Sequence, residues 1–94
     1  MFDMKACGDR IRILRKEKNM TQESLAEALN VSSYHLRRIE GGKDGASLDL
    51  LIDIAEYFGA SLDYLILGRG NIQASIRKDL MNISEALQGI IDRV

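Results

Sequence analysis

The sequence contains no proline and no tryptophan, and it has one cysteine and one histidine among its 94 residues. The single cysteine, Cys7, excludes an internal disulfide, because a disulfide needs two. Uninterrupted apolar stretches such as residues 50–52 and 65–67 are far shorter than the roughly 20 residues that cross a bilayer. No basic region followed by a long apolar run opens the chain as a signal peptide would. We therefore expect a cytoplasmic protein that is not embedded in a membrane.

Residues that commonly support catalysis or bind metals are equally scarce. His35 has no second ligand at a suitable spacing, so no metal site is expected. Cys7 stands at core spacing with Ile11, and we interpret it as a small buried residue rather than a nucleophile. No glycine-rich loop is followed by lysine and a hydroxyl residue at the spacing of a phosphate-binding loop. The sequence predicts neither an enzyme nor a cofactor site.

The composition favours one packed domain with a divided charge. With 46% hydrophobic and 29% charged residues, the chain has enough apolar material to form a core. Its length leaves room for one domain and at most a short appended element. Residues 1–43 carry nine lysines and arginines against six acidic residues, whereas residues 44–94 carry four against eight. A positive surface in the first part fits an anionic partner, although ordinary solvated charge would give the same count.

Apolar spacing and capping residues predict an all-α fold with five short helices and one longer helix. The apolar residues recur at the three- and four-residue spacing of helices that bury one face. Hydroxyl residues that can cap a helix N-terminus precede four of the short helices: Thr21, Ser32, Ser47 and Ser61. The first helix is predicted from about Lys5 to Asn19, since asparagine can end a helix in the left-handed conformation. We expect a compact domain over residues 1–67 and a glycine-containing linker over residues 68–71.

Residues 72–94 predict the longer helix, which is amphipathic and needs a partner. Apolar residues at intervals of three or four form a nearly regular heptad seam: Ile72, Ile76, Leu80, Ile83, Leu87, Ile90 and Val94. An isolated helix would expose this apolar stripe to water. We expect homodimerisation through the five central members of the seam, Ile76 to Ile90. The alternative is that the helix folds back onto its own domain.

Residues 21–42 predict two short capped helices that form a helix-turn-helix. The second of them, residues 32–41, is termed the recognition helix. Leu36 and Ile39 provide its buried side, and the opposite side presents Ser33, Tyr34, Arg37 and Arg38. Arginine can bind guanine through two hydrogen bonds, and hydroxyl groups can bind several base edges in a major groove. A solvated helix face that happens to carry two arginines remains the alternative.

Several stretches resemble one family in order and spacing. They are TQESLA at residues 21–26, NVS at 30–32 and RIEGGK at 38–43. These stretches resemble the helix-turn-helix domain of lambda repressor and Cro, also called the XRE family, and residues 47–63 are similar to its fourth and fifth helices. The resemblance covers about residues 8–67. It implies a five-helix domain that binds operator sites in double-stranded DNA, usually as a homodimer, and that regulates transcription, here as a repressor.

The resemblance also implies roles for individual residues. The family's base-reading positions and the position beside them are occupied by Ser33, Tyr34, Arg37 and Arg38. Contacts with DNA phosphates are implied for Thr21, Gln22, Ser32 and Lys43. Arg15 and Glu40 match an ion pair that joins the first helix to the third in some members. Arg10 and Arg12 are weaker phosphate candidates, and we interpret them as solvated charge.

The sequence departs from the family's pattern in three places, the first being Asn19 and Asn30, which stand where glycine is commoner and which tolerate the left-handed conformation. Gly41 replaces a frequent asparagine that can hydrogen-bond a phosphate, although its backbone N–H remains available. Asp44 brings negative charge near the expected DNA backbone, and we expect it to weaken binding without abolishing it. The competing interpretation of the chain is an antitoxin or adaptor whose helix over residues 72–94 binds a different protein.

Overall fold

The computed structural model describes residues 1–70, which form five α-helices and no strand. The helices are α1 (Met4–Glu17), α2 (Gln22–Leu29), α3 (Ser33–Glu40), α4 (Leu48–Phe58) and α5 (Leu62–Leu67). The predicted all-α fold is confirmed. The predicted helix over residues 72–94, with its dimerisation residues Ile76, Leu80, Ile83, Leu87 and Ile90, lies outside the described residues. None of the helices within residues 1–70 is long and apolar enough to cross a membrane.

Each of the four predicted caps begins a helix. The hydroxyl oxygens of Thr21 and Ser32 each accept a hydrogen bond, at 3.0 Å, from the backbone N–H three residues ahead, and Ser47 and Ser61 cap α4 and α5 in the same way. Such caps satisfy backbone donors that the first helical turn leaves unpaired. The first helix begins at Met4, one residue earlier than predicted, because the Asp3 carboxylate accepts the N–H of Ala6 at 3.0 Å.

The core lies where the apolar faces of the five helices meet. The largest of its fully buried side chains are Ile11, Leu25, Leu36, Ile39, Ile54 and Leu65. Burying an aliphatic side chain of this size contributes about 1.5 to 3 kcal/mol. Cys7 is 3% exposed and belongs to this core, as its spacing predicts. The core therefore holds α2 and α3 as a fixed unit rather than as an independent hairpin.

A glycine allows α1 to approach α3 closely. A Cβ atom at Gly8 would overlap the backbone carbonyl oxygen of Ile39 and lie 3.0 Å from that of Glu40. Any side chain at this position would push the two helices apart, since backbone atoms cannot move aside as a flexible side chain can. This contact sets the distance between α1 and the C-terminal end of α3.

Candidate nucleic-acid interface

The turn between α2 and α3 fixes the direction of α3. Asn30 adopts the left-handed conformation, with φ at 58°, and the backbone N–H of Val31 donates to the carbonyl oxygen of Ala26 at 2.9 Å. Ser32 then caps α3. Leu36 and Ile39 are buried in the core and Glu40 is buried beside α1, so the opposite side of α3 is turned towards solvent.

The four predicted base-reading residues lie on these outer faces of α3. Tyr34 is 63% exposed and Arg37 is exposed, whereas Ser33 and Arg38 are half-buried. The hydroxyl, phenol and guanidinium groups therefore share one helix that a groove could receive. A short helix with an exposed polar face and a buried apolar face has the dimensions and the donors that a major groove accepts.

Arg38 is held by an acidic partner from the loop that follows α3. Its Nε atom donates to Oδ2 of Asp44 at 2.8 Å, and Nη2 donates to Oδ1 at 3.2 Å. These hydrogen bonds lower the pKa of Asp44 and raise that of Arg38. The Cζ atom of Arg38 also lies 5.9 Å from the centroid of the Tyr34 ring. The sequence pattern predicts an outward Arg38 but not its partner, because helical spacing gives no guide beyond the end of the helix.

The predicted phosphate-binding residues surround the N-termini of α2 and α3 and the loop after α3. Thr21, Ser32 and Lys43 are exposed, and the hydroxyl groups of the first two already serve as caps. Gln22 is half-buried, and its Nε2 atom donates to Oε1 of Glu40 at 3.1 Å. That amide nitrogen carries a second N–H, which can still bind an oxygen from outside.

A buried ion pair joins α1 to α3 beneath this surface. Arg15 donates from Nε and Nη2 to the two oxygens of Glu40 at 2.8 and 3.0 Å. Its Nη1 atom donates to the backbone carbonyl of Met20 at 2.7 Å. Arg15 is 8% exposed and Glu40 is 3% exposed. The two charges are thus paired and hydrogen-bonded, which is the condition for keeping them away from water.

The structure also brings together a basic cleft that the sequence pattern did not predict. The cleft has a volume of about 410 Å³, and four of its lining residues are positively charged and exposed: Lys5, Arg12, Lys16 and Arg37. The Arg15–Glu40 pair, Gln22 and Gly41 complete its wall. Arg10, by contrast, donates to the backbone carbonyl of Leu65 at 3.1 Å and ties α1 to α5. Lys5, Arg12 and Lys16 of α1 are spaced by seven and four residues. Helical periodicity places such residues on one face, so it could have predicted this basic group.

The fold and this surface define a DNA-binding domain of the helix-turn-helix class. Residues 11–65 match the helix-turn-helix family. The chain belongs to that family, in its lambda repressor and Cro branch, whose members are DNA-binding transcription regulators.

Two curated relatives and one solved structure illustrate the similarity. The transcriptional activator BcrR of Enterococcus faecalis is 33% identical over 88 residues, which are 90% of this chain and 43% of that protein. The transcriptional regulator ImmR of Bacillus subtilis strain 168 is 31% identical over 87 residues, which are 90% of this chain and 68% of the relative. The crystal structure of the P22 c2 repressor in complex with a synthetic operator has a TM-score of 0.63 and 27% identity, and the match covers 66% of this chain and 94% of that one. The chain thus spans less than half the length of BcrR.

Proposed function

We propose that this protein is a sequence-specific repressor that binds an inverted-repeat operator as a homodimer through α3. The observation that carries the proposal is the outer surface of α3, where exposed Tyr34 and Arg37 lie beside half-buried Ser33 and Arg38. The similarity to an operator-bound repressor supports the same function. Arginine and hydroxyl groups on one exposed helix can distinguish base pairs in the major groove.

In this proposal, one group of residues contacts the bases and another contacts the phosphates. Bases are read from α3 by Ser33, Tyr34, Arg37 and Arg38. Phosphates are bound around it by Thr21, Gln22, Ser32 and Lys43. The phosphate contacts fix the position of the domain on the duplex, whereas the base contacts carry the sequence information. The basic cleft beside Gln22 adds positive potential on the same side, which favours the approach of an anionic duplex.

The dimer in this proposal depends on the sequence of residues 72–94. Their apolar seam, from Ile76 to Ile90, would join two copies and expose two recognition helices. Two half-sites would then lie about 34 Å, or roughly 10 base pairs, apart. The seam also suits a different protein, so an antitoxin or adaptor is the second candidate. Co-purification of a stoichiometric heterologous protein would favour that candidate over the homodimer.

The proposal is tested by selecting bound fragments from a random duplex library at physiological salt. Salt suppresses non-specific binding, so enrichment reports base reading. We expect an inverted repeat. Arg38→Ala should then cost about 1 to 3 kcal/mol at one base-pair position, whereas Gln22→Ala should weaken all operator variants alike. Arg69→Ala, which removes a similar charge after α5, is the matched control. A library without enrichment, or equal losses from both variants at every position, would contradict the proposal.

A further inference from the structure

Asp44 is tied to Arg38 by its backbone as well as by its side chain. The N–H groups of Lys43 and Asp44 both donate to the carbonyl oxygen of Arg38, at 2.9 and 3.3 Å. The loop can fold back in this way because Gly42 adopts a φ of 75°, which side-chain-bearing residues rarely take. There is also no space for a side chain, since a Cβ atom at Gly42 would lie 2.9 Å from the Cα of Lys5. The carboxylate is thereby directed at the guanidinium of Arg38 from a constrained loop.

The Asp44 carboxylate binds one edge of the Arg38 guanidinium and leaves the end of the group available. A guanidinium has five N–H donors in a rigid plane, and those on Nε and one side of Nη2 form the edge that Asp44 binds. The N–H groups of Nη1 and the other side of Nη2 form the end of the group. Two such parallel donors match the O6 and N7 acceptors of guanine. Binding by Asp44 is therefore compatible with simultaneous binding of a guanine.

We infer that Asp44 is a positioning residue that directs the end of the Arg38 guanidinium at guanine and so sets base specificity at one operator position. This inference rests on the proposed function of Arg38 as a base reader. It gives Asp44 two effects of opposite sign. Its charge weakens binding to every duplex, because phosphates repel it. Its hold on Arg38 raises the preference for guanine, because fewer orientations of the side chain remain available to bind other bases.

These two effects can be separated by measuring a ratio of affinities. The full chain is titrated against the selected operator and against a duplex in which the base pair assigned to Arg38 changes from G·C to A·T. We expect the unmodified protein to prefer guanine by about tenfold or more. Asp44→Asn keeps the size of the side chain but replaces one carboxylate oxygen by an NH2 group, so the two parallel charge-assisted hydrogen bonds to Nε and Nη2 cannot both form. This variant should bind unrelated DNA more tightly. The logarithm of its affinity ratio for the two duplexes should fall to about half, or less, of the value for the unmodified protein.

Two further variants identify the cause of any loss. Asp53→Asn removes the same charge from an exposed position on α4 and should leave the preference unchanged. In an Arg38→Ala background, Asp44→Asn should have no further effect on the preference, because Asp44 acts through Arg38. If Asp44→Asn tightens binding to both duplexes equally, the inference is wrong and Asp44 is only a repulsive charge. If Arg38→Ala itself retains the preference, Arg38 is not the reader and the proposed function fails at that residue.

Discussion

At the residue scale, the buried Arg15–Glu40 ion pair joins α3 to α1. Replacing Arg15 by alanine leaves the Glu40 carboxylate buried without its charged partner, which costs about 3 to 5 kcal/mol. We expect a loss of this size in the free energy of unfolding, measured by urea denaturation. The control is Lys5→Ala, which removes the exposed pair with Asp9 and should cost less than about 1 kcal/mol. Equal effects of the two changes would show that the buried pair has no special role.

Two buried groups give the domain a predictable response to alkaline pH. Burial raises the pKa of the Cys7 thiol and of the Tyr64 phenol above their ordinary values. In the unfolded chain these groups ionise around their usual pKa values of about 8.5 and 10. The unfolded state therefore releases protons first as the pH rises, and the free energy of unfolding decreases. Below about pH 8 the contribution of both groups to stability is fully present.

The expected result is a urea midpoint that is level near neutral pH and declines as the pH rises above about 8.5. Cys7→Ala should remove the part of this decline that begins at about pH 8.5, whereas the part at higher pH, which is due to Tyr64, should remain. A midpoint that stays constant or increases up to about pH 10.5 would contradict the assignment, since it would require both groups to ionise as easily in the folded state.

At the scale of helices, the contact between α1 and α3 should tolerate no side chain at Gly8. Gly8→Ala would force the backbones of the two helices apart, and overpacking of this kind typically costs about 1 to 3 kcal/mol. Because the displaced element is the recognition helix, operator affinity should fall as well. Gly45→Ala is the control, since its new Cβ would meet only the flexible end of Met4. Thermal denaturation and DNA titration of both variants check this prediction; an unaffected Gly8→Ala variant would contradict it.

The helices were predictable from the sequence because their signals are local. Thr21 and Ser32 act on N–H groups three residues away, and Asn30 needs only its own backbone freedom. The Arg38–Asp44 pair was not predictable, because it depends on the path of a loop after the helix has ended. The complete basic cleft was not predictable for a related reason, since only tertiary packing brings Arg37 of α3 beside the basic residues of α1.

At the scale of the whole chain, the division of charge and the apolar seam match two different requirements of the operator-binding homodimer proposed above. The amino-terminal half carries the positive residues that a phosphate backbone attracts, and residues 72–94 carry the seam. In the proposed dimer, one α3 of eight residues would read only a few base pairs, so two joined copies would gain specificity that one copy lacks. A defect in the seam should therefore weaken operator binding without changing which bases are read.

The double variant Leu80→Glu and Leu87→Glu tests this requirement, because it places like charges at two positions of the predicted seam. We expect sedimentation equilibrium to show a monomer, with operator affinity reduced while the preference at each base-pair position is retained. Lys78→Glu with Arg77→Glu, which changes two charged residues outside the seam, should remain dimeric. A double seam variant that stays dimeric would place the dimer contact elsewhere. A monomeric variant with unchanged operator affinity would show that one copy binds the operator alone, because a dimer that contributes to binding cannot be lost without a loss of affinity.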